Sequence, residues 1–409
     1  MTDFPAFTGD IERRFGPEAA MVRHELFFLG RHAWPAGRAT AALWRDALML
    51  CARTGPAVPE ADGLAVLVVT LGGSAGWDTL GRAVDPIRRA GLKPVILAHP
   101  RLGSSLFPAD LPLCRLFRPR VTELTVALAA TRASMVAATI ARRRLWRGCL
   151  ARTLGPRRGW LVLHNDFDMM SAAAIGLGWP AISLQHGIPT DEFFPARADR
   201  HLVWGASSAR AYACRGVPPE TLLEDALGRS AHAFPVPATA PAGIALLSQS
   251  HAAIFGADLG PMLARFADGL GRAAPGSEVL LHPRETSGHP YGAAPGLVLR
   301  SPPHALLGAA SDRPWLVVGY CSTAMLDAGR AGHWVAGLEP GLAGNQAARS
   351  VALPPLRVGS AEEAVRLRDR LADPTFRSGV AVSQQRWLAD TFTADRGAFE
   401  TMLCREAVR

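Results

Sequence analysis

Lysine is almost absent from this chain of 409 residues: Lys93 is the only one, so nearly all of the 44 basic residues are arginine. Genome base composition produces such a bias as readily as function does. Cysteine is also sparse. The six (Cys51, Cys114, Cys149, Cys214, Cys321 and Cys404) lie far apart, with no C-x-x-C or Cys/His ligand spacing. That excludes a disulfide framework and a structural zinc site, and it fits a reducing compartment. No segment approaches the about 18 uninterrupted apolar residues of a spanning helix, and Met1–Pro5 opens no basic-then-apolar leader. A cytoplasmic protein is expected.

What is present points to a globular chain of two domains. The length exceeds one typical domain, and 49% hydrophobic residues exclude disorder, collagen and coiled coil. Forty-four basic against 35 acidic residues leave a net charge of +9. Alone, that charge suits a nucleic-acid binder, a membrane-surface protein or an enzyme of anionic substrates.

Short runs rich in branched apolar residues recur with helix-compatible stretches between them. Residues 64–70 read as a buried parallel strand closed by the glycine-rich 71–76, a helix follows over about 77–90, and 93–98 is the next strand. Strand, helix and strand repeat at 160–164, 169–177 and 181–185. A break with Pro235, Pro237 and Pro241 falls at 234–243. The rhythm restarts with strands at 244–248, 278–282, 297–300, 315–319 and 334–337, and a helix near 256–272. The expectation is α/β: two Rossmann-like doubly wound domains facing a cleft, at 1–236 and 244–385, a linker at 237–243, and a helix at 386–409 packing back on the first domain.

Open parallel sheets bind ligands outside the carboxyl ends of their strands, and four motifs fall there. Gln185-His186-Gly187 is followed by Asp191 and Glu192; His186 suits a general base near neutral pH, and Gly187 admits close approach of a substrate. An ordinary loop histidine is the plainer alternative. His282-Pro283-Arg284-Glu285 offers an imidazole donor and a guanidinium fork for phosphate, with a loop proline and surface arginine as the alternative. Gly319 through Ser322 and Thr323 runs from a strand into a helix, where free N–H groups make an anion site or a plain N-cap. Asp166 and Asp168 follow a strand as bases, or as caps of the helix from Met169. They also spell a literal D-x-D, although no metal is called for.

Arginines 142, 143, 144, 147, 152, 157 and 158 are interleaved with Leu145, Trp146, Leu150, Leu154 and Trp160 without an acidic residue. Arranged as an amphipathic helix, this 142–158 stripe would lie on an anionic membrane; the alternative is a solvated surface helix. No helix-turn-helix, zinc-finger or RNA-binding pattern accompanies the charge, so nucleic acid is not expected.

The order of these motifs resembles GT-B-fold transferases of bacterial surface-polysaccharide assembly. Gln185-His186-Gly187, the Pro195 to Asp199 stretch and Trp204-Gly205 are similar to the Q-H-G, P…AD and W-G elements of capsular-polysaccharide and Kdo-type transferases. His282-Pro283 and Ser322-Thr323 with Asp327 resemble the H-P and S-S/T motifs of sialyl-, polysialyl- and CDP-glycerol transferases. The sialyltransferase acidic triplet is absent, and Thr323 replaces a serine. The resemblance covers about 160–335, while residues 1–60 match nothing.

It implies a glycosyltransferase moving a Kdo- or sialic-acid-like sugar from a CMP-linked donor to a glycan or glycolipid hydroxyl. The donor is a substrate, so no cofactor is implied. His282, Ser322 and Thr323 would hold its phosphate, Arg284 or Glu285 would orient it, and His186, Asp166, Asp168, Asp191 or Glu192 would act as base. A glycerophosphotransferase, an NDP-sugar transferase or epimerase, and a non-catalytic membrane-associated assembly factor are the alternatives.

Overall fold

The computed structural model describes the chain except residues 1–3, 53–57, 60–61, 71–73, 131–133, 157–158, 230–233, 250–258, 284, 286–287, 293–294, 303, 305–306, 308–312, 340–345, 396 and 408–409. Its frame is a pair of sheets in which every strand pairing is parallel. The first contains β1 (Leu64–Val69), β2 (Lys93–Ala98), β3 (Leu113–Cys114), β4 (Gly159–Leu163), β5 (Ala181–Leu184), β6 (Arg200–Val203) and β7 (Leu222–Glu224), in the order β3-β2-β1-β4-β5-β6-β7. The second contains β8 (Ile244–Leu247), β9 (Glu278–Leu280), β10 (Val298–Arg300), β11 (Leu316–Gly319), β12 (Trp334–Leu338) and β13 (Leu356–Val358), in the order β10-β9-β8-β11-β12-β13.

Both orders reverse direction between the first and fourth strands of the sheet, the doubly wound pattern that opens a crevice at the switch point. The α/β expectation of two Rossmann-like halves therefore holds. Its physical origin is plain in β1: all six residues of Leu-Ala-Val-Leu-Val-Val are buried, because helices cover both faces of a parallel sheet. Short strands were less visible. Leu113–Cys114, Leu222–Glu224 and Leu356–Val358 are too brief to show an apolar run.

Helices fill the layers. The first 52 residues, which resemble nothing familiar, form α1 (Phe4–Phe15), α2 (Pro17–Ala20), α3 (Arg23–Leu29) and α4 (Pro35–Ala52). After β1 come α5 (Ser74–Leu80) and α6 (Val84–Arg89), and beyond β3 lie α7 (Val121–Ala130) and α8 (Met135–Leu154). Around the next two strands are α9 (Met169–Ala174) and α10 (Ala206–Ala213). The second half adds α11 (Gly260–Ala273), α12 (Thr323–Arg330), α13 (Gln346–Ala352), α14 (Ala361–Arg370), α15 (Pro374–Thr391) and α16 (Ala398–Ala407). Residues 234–243 carry no helix or strand.

Helix α16 lies against the first sheet: Phe399 and Leu403 share a core cluster with Leu67, Ile96 and Leu202. Asp225 fixes its start by accepting the N–H groups of Gly397 (3.1 Å) and Phe399 (3.3 Å). Another cluster is continuous between the halves, joining Phe193 and Trp204 to Leu326, Leu388 and Phe392.

The arginine stripe is not a membrane face. Arg142 is buried and donates to Asp46 (2.6 Å) and Glu25 (2.7 Å), while Trp146, also buried, donates to the same Asp46 (2.8 Å). Arg143 and Arg147 donate to the carbonyls of Ala172 (3.0 Å) and Ile175 (2.7 Å), acceptors at the C-terminal end of α9 that the helix does not satisfy itself. Arg144 pairs with Glu18 and Arg152 with Glu123. The run has no acidic residue because its carboxylate partners sit elsewhere in the chain. Arg157 and Arg158 lie outside the described residues. No helix among the described residues is long and apolar enough to cross a membrane.

Candidate active site

Beside the switch point of the first sheet, His164 follows β4, and Gln185-His186-Gly187 follows β5, the next strand outward. The two imidazoles lie 4.8 Å apart between centroids, and His186 stacks on Phe193 at 5.0 Å. Burial, then the neighbouring His164, pushes the His186 pKa down to about 3. Burial likewise pushes His164 down to about 4. His186 is therefore neutral and able to accept a proton, but it is not poised near pH 7 as its residue type suggested. Its Nδ1 is buried, with no hydrogen-bond partner among the described residues.

Gln185 works on the backbone: its amide donates to the carbonyl of Gly187 (2.9 Å) and accepts from the N–H of Trp204 (2.8 Å). It thus locks the His186 loop to the Trp204-Gly205 turn. A Cβ on Gly205 would stand 2.8 Å from the carbonyl oxygen of Thr391, so a glycine there lets the end of α15 close against the first lobe. Asp199 accepts the N–H of Ala181 (2.8 Å) and sets the start of β5.

The acidic candidates are dispersed. Asp168 caps α9 through the N–H of Ser171 (3.0 Å), the plainer of its two expected roles. Asp166 is buried and accepts the N–H groups of Arg197 and Ala198, the latter at 3.2 Å. Asp191 pairs with Arg215. Glu192 pairs with His24 at 3.1 Å. Both carboxylates of the D-x-D thus hold backbone, and among the described residues no three His, Cys, Asp or Glu side chains are grouped to hold a metal ion.

The first 30 residues, silent in sequence, brace this loop from behind. Arg23, fully buried, donates to the carbonyls of Phe194 (3.3 Å) and Pro195 (2.8 Å), and burial pushes its pKa down to about 10. His24 lies 4.8 Å from the Phe167 ring. Neither residue had a motif to mark it.

In the second sheet, Ser248 follows β8 and Tyr320-Cys321-Ser322 follows β11, on either side of that sheet's switch point. Ser322 caps α12 by accepting the N–H of Ala324 (3.3 Å). Cys321 takes a left-handed backbone (φ 44°), a costly geometry for a non-glycine residue that the tight strand-to-helix turn imposes. Burial pushes its thiol up to about 12, which leaves it unreactive. Gly319 is required for packing: a Cβ would meet Met325 at 2.9 Å and Leu247 at 3.0 Å.

After β9, His282 is partly exposed and Pro283 exposed. Glu285 is buried and turned inward, its carboxylate accepting the His282 N–H at 2.8 Å, so it positions the histidine backbone. Arg284 lies outside the described residues. His304 donates from Nε2 to the Leu281 carbonyl at 2.8 Å, and Tyr291 donates to Ser248 at 2.5 Å. These two were missed because neither directly follows a strand.

The lobes meet where the two motif sets face each other. The Ile188 N–H donates to Thr323 Oγ1 (3.3 Å), and a Cβ on Gly187 would stand 3.3 Å from the same oxygen. Arg229 of the first lobe lies over Trp204 at 4.7 Å and pairs with Asp327 of α12 at 3.5 Å. Asp327 is thus a tether between the lobes.

No family model matches the chain, and no curated protein is similar in sequence. Solved structures share its architecture. The glycotransferase of kitacinnamycin is 11% identical with a TM-score of 0.50, over 85% of this chain and 100% of that one. A glycosyltransferase from Rickettsia africae is 8% identical with a TM-score of 0.50, over 85% and 99%. A variant of Os79 from O. sativa, in complex with UDP, is 14% identical with a TM-score of 0.52, over 84% and 99%. At such identities the likeness concerns the fold, which is GT-B.

Proposed function

We propose that this protein is a nucleotide-sugar-dependent glycosyltransferase, with the donor on the second lobe and the acceptor hydroxyl on the first. The observation that carries this reading is the Ile188 to Thr323 contact, which brings the Gln185-His186-Gly187 loop to the start of α12 at the switch point of the second sheet. Hydroxyls and free N–H groups at Ser322 and Thr323, with His282 nearby on the same sheet edge, suit a donor phosphate and the negative charge that grows on it as the sugar leaves.

In the reaction, the acceptor oxygen bonds to the anomeric carbon, the bond from that carbon to the nucleotide phosphate oxygen breaks, and the hydroxyl proton passes to His186. A bound donor supplies the missing basicity: its phosphate charge raises a neighbouring imidazole out of the depressed range that burial imposes. Glu192, behind the loop, favours the same protonated form.

The motif resemblance favours a CMP-linked, Kdo- or sialic-acid-like donor and a surface glycan or glycolipid acceptor. A uridine nucleotide is the second reading, supported by the UDP bound to the Os79 variant of like fold. A thermal-shift screen of CMP, CDP, UDP and GDP tests both. Stabilisation by CMP above the others supports the first, stabilisation by UDP the second, and no shift with any nucleotide contradicts the transferase.

A further inference from the structure

We propose that the outer helical layer of the first lobe, centred on α4, is a docking surface for an anionic lipid bilayer. Helix α4 buries Ala39, Leu43, Ala47 and Leu50 against the lobe, so its opposite side faces out. On and just before that side, Trp34 is 81% exposed, Leu48 66% and Trp44 43%. A soluble surface rarely leaves two tryptophans and a leucine so bare on one helix.

Two cations of α4, Arg38 and Arg45, share that side, while Arg31 precedes the helix and lies over the Phe27 ring at 4.3 Å. Arg31, Arg38 and Arg45 are all exposed. The one acidic residue between 31 and 52 is Asp46, which is buried beneath Arg142 and Trp146 and also accepts from Arg45 Nε at 3.4 Å. The outward face thus presents indole, leucine and guanidinium with no exposed carboxylate of its own, the composition of a helix lying in a membrane interface. Charge complementarity selects an anionic bilayer over a neutral one or an acid-rich protein that would leave the indoles unmatched.

Further large apolar side chains of the same lobe are exposed. Helix α7 packs beside α4 and exposes Val121 (78%) and Val126 (55%). Between α7 and the end of α1 runs a groove of about 400 Å³, lined by Phe15, Val126, Ala130 and Ile140 with the paired Glu18 and Arg144 at its side, where hydrocarbon has room to enter. In the second lobe the exposed large apolar residues are only Val298, Leu299 and Val382 among the described residues.

The test is co-sedimentation of the full chain with vesicles of phosphatidylglycerol and phosphatidylcholine, against vesicles of phosphatidylcholine alone. The expected result is binding to the anionic vesicles that weakens with salt. Partitioning should fall about tenfold or more in Trp34→Ser/Trp44→Ser/Arg38→Glu, and stay unchanged in Arg265→Glu on the second lobe. Tryptophan quenching by brominated lipid, lost in the triple variant, reports insertion directly. Circular dichroism of the triple variant confirms that it is folded. No binding to anionic vesicles at low salt, or equal binding by the wild type and the folded triple variant, overturns the proposal. Nucleotide-induced thermal shifts are unaffected either way, so this failure is distinct from a failure of the transferase reading.

Discussion

The two lobes repeat one strand order yet treat arginine in opposite ways. In the first lobe Arg23, Arg142 and Arg143 are buried, each held by carbonyls or carboxylates. In the second lobe the buried charged residues among those described are carboxylates, Glu278 and Glu285, and the arginines lie towards solvent. A buried guanidinium with five donors ties several backbone segments together at once. The lesson is that an uninterrupted cationic run in sequence need not be a surface. In α8 it is internal wiring for a helical layer that the second lobe lacks.

The largest effect should follow from cutting that wiring. Asp46→Ala leaves Arg142 with Glu25 as its one carboxylate partner and Trp146 without an acceptor, and should cost about 3 kcal/mol in urea unfolding. Arg357→Ala, which breaks a pair with Glu339 at 3.1 Å where both are half-exposed, should cost at most about 1 kcal/mol. Comparable losses would erase the contrast between the lobes.

Acid should act next, and on the first lobe. Burial lowers His99 and His164 to about 4 from an ordinary 6.5, so both stay neutral in the folded chain while the unfolded chain takes up protons. Their contribution is fully present above pH 6.5 and is lost as pH falls towards 4, by about 3 kcal/mol each. Unfolding curves between pH 7 and pH 4 should flatten in His164→Asn; an unaltered slope would show that the ring is solvated.

The seam between the lobes offers a middle-sized test. Gly205→Ala drives a methyl into the backbone of Thr391 and should cost about 1–3 kcal/mol, displacing α15. The smallest effect belongs to Ser322→Ala, which removes the cap of α12 for about 1 kcal/mol and should weaken nucleotide binding in parallel. A loss of stability with unchanged nucleotide affinity would separate the cap from the anion site.

Much of this was legible in the chain. Apolar runs such as 64–69 and 93–98 declared the buried parallel strands, and strand-end motifs placed Gln185-His186-Gly187 and Ser322-Thr323 at the correct edges. What stayed hidden depends on partners distant in sequence. Asp46 answers Arg142 across 96 positions, so no local pattern could turn the stripe inward. The depressed basicity of His186 comes from Phe193 and His164 closing around it, a matter of packing and not of residue type. Gln185 and Asp199, which stand in the motifs that carry the resemblance, are backbone clasps.

The central claim, a division of labour between a donor lobe and a base-bearing lobe, is tested most directly by calorimetric titration of the preferred nucleotide into the wild type, His282→Ala and His186→Ala. The account predicts about tenfold weaker binding in His282→Ala and affinity within about twofold of wild type in His186→Ala, with transfer abolished in the latter. Equal affinity in all three proteins, or sugar transfer that survives loss of His186, would contradict it.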